Sequence, residues 1–129
     1  MTHAHGIPRI LVVEDDDNIA VALQYIVNRE GMTCERVATG ADALARIRDT
    51  HPDLVLLDVM LPEMSGYEIC QDIRRDGTLL SVKVVMMTAR GSASERHKAL
   101  SLGADGFVTK PFDLPVLRQE MRRLLAPAG

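Results

Sequence analysis

The sequence predicts a single α/β domain, a doubly wound parallel sheet with helices on both faces. Short strand-like runs near 9–13, 33–37, 53–58, 83–87 and 106–109 alternate with stretches whose apolar period lengthens to helical spacing. That alternation is the pattern of repeated βα units around a parallel sheet. Four runs also end in residues that carry chemistry: Glu14-Asp15, Asp58, Thr88 and Lys110. Strand C-termini of an open parallel sheet share one edge, where ligands bind, so these residues are expected to meet in one pocket. With 129 residues, 47% of them hydrophobic, the chain has enough material for one ordinary core and too little for two.

The elements follow in order. After the run Ile10-Leu11-Val12-Val13, the acidic turn Asp15-Asp16-Asp17 opens a helix, where acids suit the positive end of the helix dipole. Ile19, Leu23, Ile26 and Val27 share its apolar face, and Gly31 stands where a C′ residue is expected. Cys34 falls in the second strand. Three further helices are announced by a hydroxyl three residues before an acid, the spacing of an N-terminal cap: Thr39 to Asp42, Ser65 to Glu68 and Ser92 to Glu95. The last helix opens at Asp113, tolerates Pro115 in its first turn, and carries Leu114, Leu117, Met121 and Leu124 inward. The count is five βα units over 9–125, with a flexible extension at 1–8 and a short tail at 126–129.

Composition excludes several classes. A net charge of −3 leaves no basic stripe for nucleic acid, so direct nucleic acid binding is not expected. No stretch approaches the roughly 18 apolar residues of a membrane span, and Met1-Thr2-His3-Ala4-His5-Gly6 lacks the core of a signal peptide; the expected location is cytoplasmic. Cys34 and Cys70 have no partner at metal-ligand spacing and read as small buried hydrophobes without a disulfide. Met60, Met64, Met86, Met87 and Met121 read as core or loop packing, and His3, His5, His51 and His97 as surface residues.

Four motifs then occur in one order: Val12-Val13-Glu14-Asp15-Asp16, Leu56-Leu57-Asp58 through Gly66, Met87-Thr88-Ala89, and Gly103-Ala104-Asp105 through Phe112. Over nearly its whole length the chain resembles the receiver domain of two-component response regulators. The resemblance implies a flavodoxin-like sheet in the order 2-1-3-4-5, which periodicity alone does not give. It implies Asp58 as phosphoacceptor and Mg²⁺ held by Asp15, Asp58, the backbone carbonyl of Met60 and a water on Glu14. Thr88 and Lys110 would contact phosphoryl oxygens. Movement of Thr88 would free space for Phe107, the switch position, to rotate from solvent into the core. The implied donor is a sensor histidine kinase or histidine phosphotransfer protein, and the output partner is left open. Lys110-Pro111 is the family's cis peptide position.

Taken singly, each residue has a plain structural role: Asp15, Asp16 and Asp17 as helix caps, Asp58 in a turn, Thr88 as a strand filler, Lys110 as a solvated amine. Jointly they crowd carboxylates at one edge, where two charges about 4 Å apart repel by about 4 kcal/mol at an effective dielectric of 20. A dication and Lys110 relieve that repulsion. A flavodoxin-like cofactor carrier would need a phosphate-cradling loop where the acids 14–17 stand. A Mg²⁺-dependent phosphohydrolase with an aspartyl intermediate would need an acid where Met60 stands, and a degenerate docking module would not need the acids, Thr88 and Lys110. Gly106, Val116 and Glu120 depart from the charged positions of the transcription-factor subfamily's salt-bridged dimer, so a monomer is expected. Met60 and Arg90 are expected at the pocket mouth.

Overall fold

The computed structural model describes residues 6–126. The remainder of the expected extension and tail, with His3 and His5, lies outside the described residues. Five strands, β1 (Arg9–Val13), β2 (Thr33–Val37), β3 (Leu54–Asp58), β4 (Lys83–Thr88) and β5 (Gly106–Thr109), alternate with five helices, α1 (Asp17–Arg29), α2 (Gly40–Thr50), α3 (Gly66–Arg75), α4 (Ala93–Ser101) and α5 (Leu114–Leu125). The strands form one parallel sheet in the order β2-β1-β3-β4-β5.

Alternation along the strands makes the two cores. Leu11, Val13, Val55, Leu57, Val84 and Met86 point to one face, where α2, α3 and α4 supply Ile47, Ile69, Ile73 and Ala99. Ile10, Val12, Leu54, Leu56, Val85 and Met87 point to the other, covered by Leu23 and Val27 of α1 and Leu117 and Met121 of α5. Strands buried on both faces have to be apolar at successive positions, which is why β1, β3 and β4 read as continuous, whereas the outer strand β2 is buried only at Val37.

The caps stand where the spacing places them. Asp16 Oδ1 accepts from the N–H of Asn18 at 2.9 Å and of Ile19 at 3.1 Å. Thr39, Ser92 and Asp113 do the same for α2, α4 and α5, and Ser65 and Glu68 close a full capping box on α3. Each satisfies N–H groups that a helix start leaves unpaired, an effect of about 1 kcal/mol. α1 passes through its cap Glu30 to Gly31, whose φ of +80° is the left-handed turn expected at that position.

Four details differ from expectation. Leu114 is 45% exposed, standing first in α5 and bordering the open groove between α5 and α1. Met60 is 75% exposed, at the tip of the loop leaving β3 rather than packed. Ile19 and Ile26 are only half-buried, the fully buried positions of α1 being Ala20, Leu23 and Val27. Cys34 is half-buried on the outer strand β2, while Cys70 is buried; both are free thiols. A short 3-10 turn at Gly77–Leu79 also precedes β4, burying Leu79 fully.

Two polar ties join elements far apart in the chain. Arg74 on α3 donates to Asp105 Oδ2 at 2.6 Å and to the carbonyls of Val82 and Gly103 at 2.8 Å each. Asp105 Oδ2 also accepts from the N–H of Val84 at 2.9 Å, so the turn into β5 is pinned to α3 and β4. Tyr67, at the start of α3, donates to Glu95 of α4 at 2.6 Å, with Lys98 Nζ lying 4.3 Å from its ring centroid. Burial, then the hydrogen bond and charge of Glu95, push the Tyr67 phenol up to about 12. A group whose folded pKa is raised contributes stability that is complete below its ordinary value of about 10 and declines as pH rises toward the folded value. Tyr67→Phe should therefore flatten the loss of stability between about pH 10 and about pH 12 and remove a phenolate absorbance step near pH 12; an unchanged pH profile would count against the tie.

Candidate functional site

The residues singled out by sequence converge at the C-terminal edge of β1, β3, β4 and β5. Backbone bonds extend the ladders one residue past the strands and set each position. Glu14 N–H donates to Val37 O at 3.1 Å, Val59 N–H to Met87 O at 2.9 Å, and Lys110 N–H to Thr88 O at 2.8 Å. The Lys110-Pro111 peptide is cis. α3 reaches this edge through Gly66, whose N–H donates to Val59 O at 2.9 Å; a Cβ there would collide with the Asp58 carbonyl oxygen.

Within the pocket, Lys110 Nζ lies 2.8 Å from Glu14 Oε1 and 3.2 Å from Asp58 Oδ1. Glu14 and Asp58 are 1% and 3% exposed. Carboxylate oxygens of Glu14, Asp15 and Asp58 can lie within 4.8 Å of one another. The second Glu14 oxygen accepts from the N–H of Asp16 at 3.2 Å, and Asp58 Oδ1 accepts from the N–H of Met60 at 3.2 Å. Glu14 is thus already held at both oxygens, a direct tie to Lys110 that the sequence reading did not anticipate. Thr88 is 3% exposed, its hydroxyl accepting from the N–H of Arg90 at 3.1 Å.

Burial and the nearby Asp58 charge push the Glu14 carboxyl up, while Lys110 and the Asp16 N–H pull it back. Burial acts to lower the Lys110 ammonium, yet Glu14 and Asp58 together carry it above its ordinary value. The two shifts act oppositely on the ion pair. Lys110 governs it near neutrality, because its shift moves it further from titration and a charged ammonium at 2.8 Å is the partner a buried Glu14 carboxylate needs. Three carboxylates against one ammonium leave a surplus of two negative charges. An all-oxygen set with that surplus fits a hard dication such as Mg²⁺, so the donor chemistry passes the test for the cation expected here.

Phe107 lies inward, 5% exposed, in the core shared with α3 and α4. The starting position in solvent that the switch reading assumed is not the one seen. β5 places alternate side chains on opposite faces, and at Phe107 that face is the apolar side of α4.

Beside the pocket, Ile19 and Ala22 of α1 and the segment Lys110-Pro111-Phe112 line a hollow. It adjoins a groove of about 870 Å³ between α1 and α5, bordered by Val21, Tyr25, Leu114 and Arg118. Val21 and Tyr25 are 65% and 62% exposed, leaving an apolar helix face next to the acid cluster.

Comparison with known proteins agrees with this geometry. The family model for the response regulator receiver domain matches residues 10–122. The chain is 38% identical over 122 residues to the phosphate regulon transcriptional regulatory protein PhoB of Rhizobium meliloti, covering 95% of this chain and 54% of that protein. It is 40% identical over 116 residues to the sensory transduction protein RegX3 of Mycolicibacterium smegmatis, covering 90% and 50%. The chain spans about half the length of the curated relatives it matches. Among solved structures, chemotaxis protein CheY4 of Vibrio cholerae superposes with a TM-score of 0.86 at 26% identity, covering 93% of this chain and 100% of that one. Fold, strand order and motif positions converge on one assignment: the chain belongs to the response regulator receiver domain family.

Proposed function

We propose that residues 9–125 act as a phosphorylation-controlled switch in which Asp58 accepts a phosphoryl group from the histidine of a sensor kinase or phosphotransfer protein. The observation that carries this is the Asp58 carboxylate at a strand end, 3% exposed and 3.2 Å from Lys110 within the acid cluster. An Asp58 oxygen forms the new O–P bond as the P–N bond to the donor histidine breaks, its electron pair leaving with the imidazole. Such transfer depends on positioning and charge neutralisation. Mg²⁺ bound there supplies charge neutralisation for the phosphoryl oxygens. Asp15, Asp58 and the Met60 carbonyl would hold it directly, with Glu14 reaching it through water.

Lys110 keeps its ammonium and turns from Asp58 toward a phosphoryl oxygen, and the Thr88 hydroxyl donates to another. The apolar face of α1 beside Phe112 supports docking of a helical, histidine-bearing partner close enough to reach Asp58. Two free thiols suit the reducing cytoplasm in which we place the module. A phosphohydrolase is less well supported, since the exposed Met60 offers no acid to a leaving group. The chain is a signalling phosphoacceptor, with any self-catalysed phosphotransfer and dephosphorylation confined to Asp58.

Mg²⁺ should raise the melting temperature, because a ligand that binds only the folded state adds RT ln(1 + [L]/Kd), about 2.7 kcal/mol at a hundredfold excess over Kd. Asp15→Asn should remove most of that increment and, by relieving repulsion, raise the metal-free melting temperature. An undiminished Mg²⁺ response in Asp15→Asn would sink the site.

The output surface on this reading is the face of α4, β5 and α5, which meets Phe107 and the loop after Thr88. Phosphoryl transfer favours the inward Phe107 over outward conformers and so biases this face. Glu120 pairs with Arg123 at 2.9 Å within its own helix and closes over Gly106, while Arg123 donates to Asp105 O at 3.0 Å. With those charges engaged internally, the beryllofluoride-activated chain should sediment as a monomer, and its NMR shifts should concentrate between Ala89 and Leu102 and around Phe107. A tight symmetric dimer on activation would overturn the monomeric output.

A further inference from the structure

Arg36 lies on β2 opposite Val12 of β1, outside every motif singled out in the sequence. Its Nε donates to the Glu14 carbonyl oxygen at 2.9 Å, and its Nη1 pairs with Asp17 Oδ1 at 2.9 Å. One guanidinium therefore grips the acid loop on both sides of Asp15. The Asp15 residue is itself exposed, so packing does little to place its carboxylate and the position of the backbone that carries it matters the more. Stability alone gives little reason for the arrangement. The Asp17 side chain is 87% exposed, where a pair contributes little, and Arg36 Nη2 is buried with no partner among the described residues, which is costly.

We infer that Arg36 is a positioning residue for the divalent cation, fixing the loop from Glu14 to Asp17 so that Asp15 converges with Asp58. This rests on the cation reading above. Charge and position predict opposite signs. A guanidinium near a dication repels it, so if charge were its whole contribution, removing Arg36 would tighten binding. If it positions Asp15, removing it weakens binding, and a lysine does not replace it, because one ammonium cannot span the carbonyl and the carboxylate as a planar fork does.

The test is isothermal titration of the metal-free chain with MgCl₂, using the unaltered protein, Arg36→Met, Arg36→Lys and Asp15→Asn, with EDTA melting curves to confirm that each variant is folded. Both Arg36 variants should weaken Mg²⁺ by about tenfold, the scale of losses when a group orienting a ligand is removed. The Mg²⁺ concentration for half-maximal labelling by acetyl phosphate should rise by the same factor. Tighter binding in Arg36→Met, or unaltered affinity in Arg36→Lys, would overturn the inference while leaving the site intact. An unaltered chain that binds no Mg²⁺, or binds it as well after Asp15→Asn, would overturn both. Should Arg36→Met not fold, Arg36→Lys alone decides between charge and position.

Discussion

Incubated with acetyl phosphate and Mg²⁺, the chain should gain a single phosphoryl mass that hydroxylamine removes, and Asp58→Asn should gain none. The reason lies in how few carboxylates combine the needed features. Asp58 ends a strand that pairs with β1 through Leu57 and with β4 to its last residue, where Asp58 stands opposite Met87. Its side chain meets Lys110 at 3.2 Å and lies within the group that includes Glu14 and Asp15. Glu14 is already tied to Lys110 and the Asp16 N–H, and Asp15 is exposed. An asparagine keeps the volume and most of the packing yet lacks a nucleophilic oxygen, so the loss of label is expected without loss of fold. Mass spectrometry of both proteins decides it: equal labelling of the two would remove Asp58 from its role.

Gly66→Ala should be strongly destabilising, lowering stability by about 3 kcal/mol and the melting temperature by about 10 °C for a domain of this size. The added Cβ would collide with the carbonyl oxygen of Asp58 and press on the start of Val59. Both are backbone atoms within hydrogen-bonded structure and cannot rotate aside as a side-chain end can. The clash also falls on Asp58, the proposed phosphoacceptor, so acetyl phosphate labelling should drop even in the fraction that remains folded. Gly77→Ala is the matched control, since a Cβ there meets nothing within 4 Å. Equal melting temperatures for the two variants would show that α3 yields where the geometry says it cannot.

Much of this molecule is legible in the chain, and the division between what is and what is not has a physical basis. Burial on both faces makes strands continuous apolar runs, and capping is a contact between residues three apart. Five βα units and five helix starts were therefore readable locally, as was the convergence of Glu14, Asp15, Asp58, Thr88 and Lys110, since parallel strands put their C-termini on one edge. The strand order was not: it came with the family resemblance, because periodicity records that a strand is buried and not which neighbours bury it. Partner choice among charges lay further out of reach. Glu14 and Lys110 are 96 positions apart, and only the packing of β5 beside β4 decides that the ammonium reaches both Glu14 and Asp58. The Arg74 to Asp105 tie, the Tyr67 to Glu95 bond and the grip of Arg36 on the acid loop are of the same kind. So are the inward Phe107 and the exposed Leu114, whose fates depend on which element lies beneath them. The chain by itself determined its layers, its helix ends and the edge where its chemistry gathers, because those follow from local periodicity and chain direction. The tertiary structure alone decided which side chains hold one another there, because that depends on distances between strands and helices that no spacing along the chain encodes.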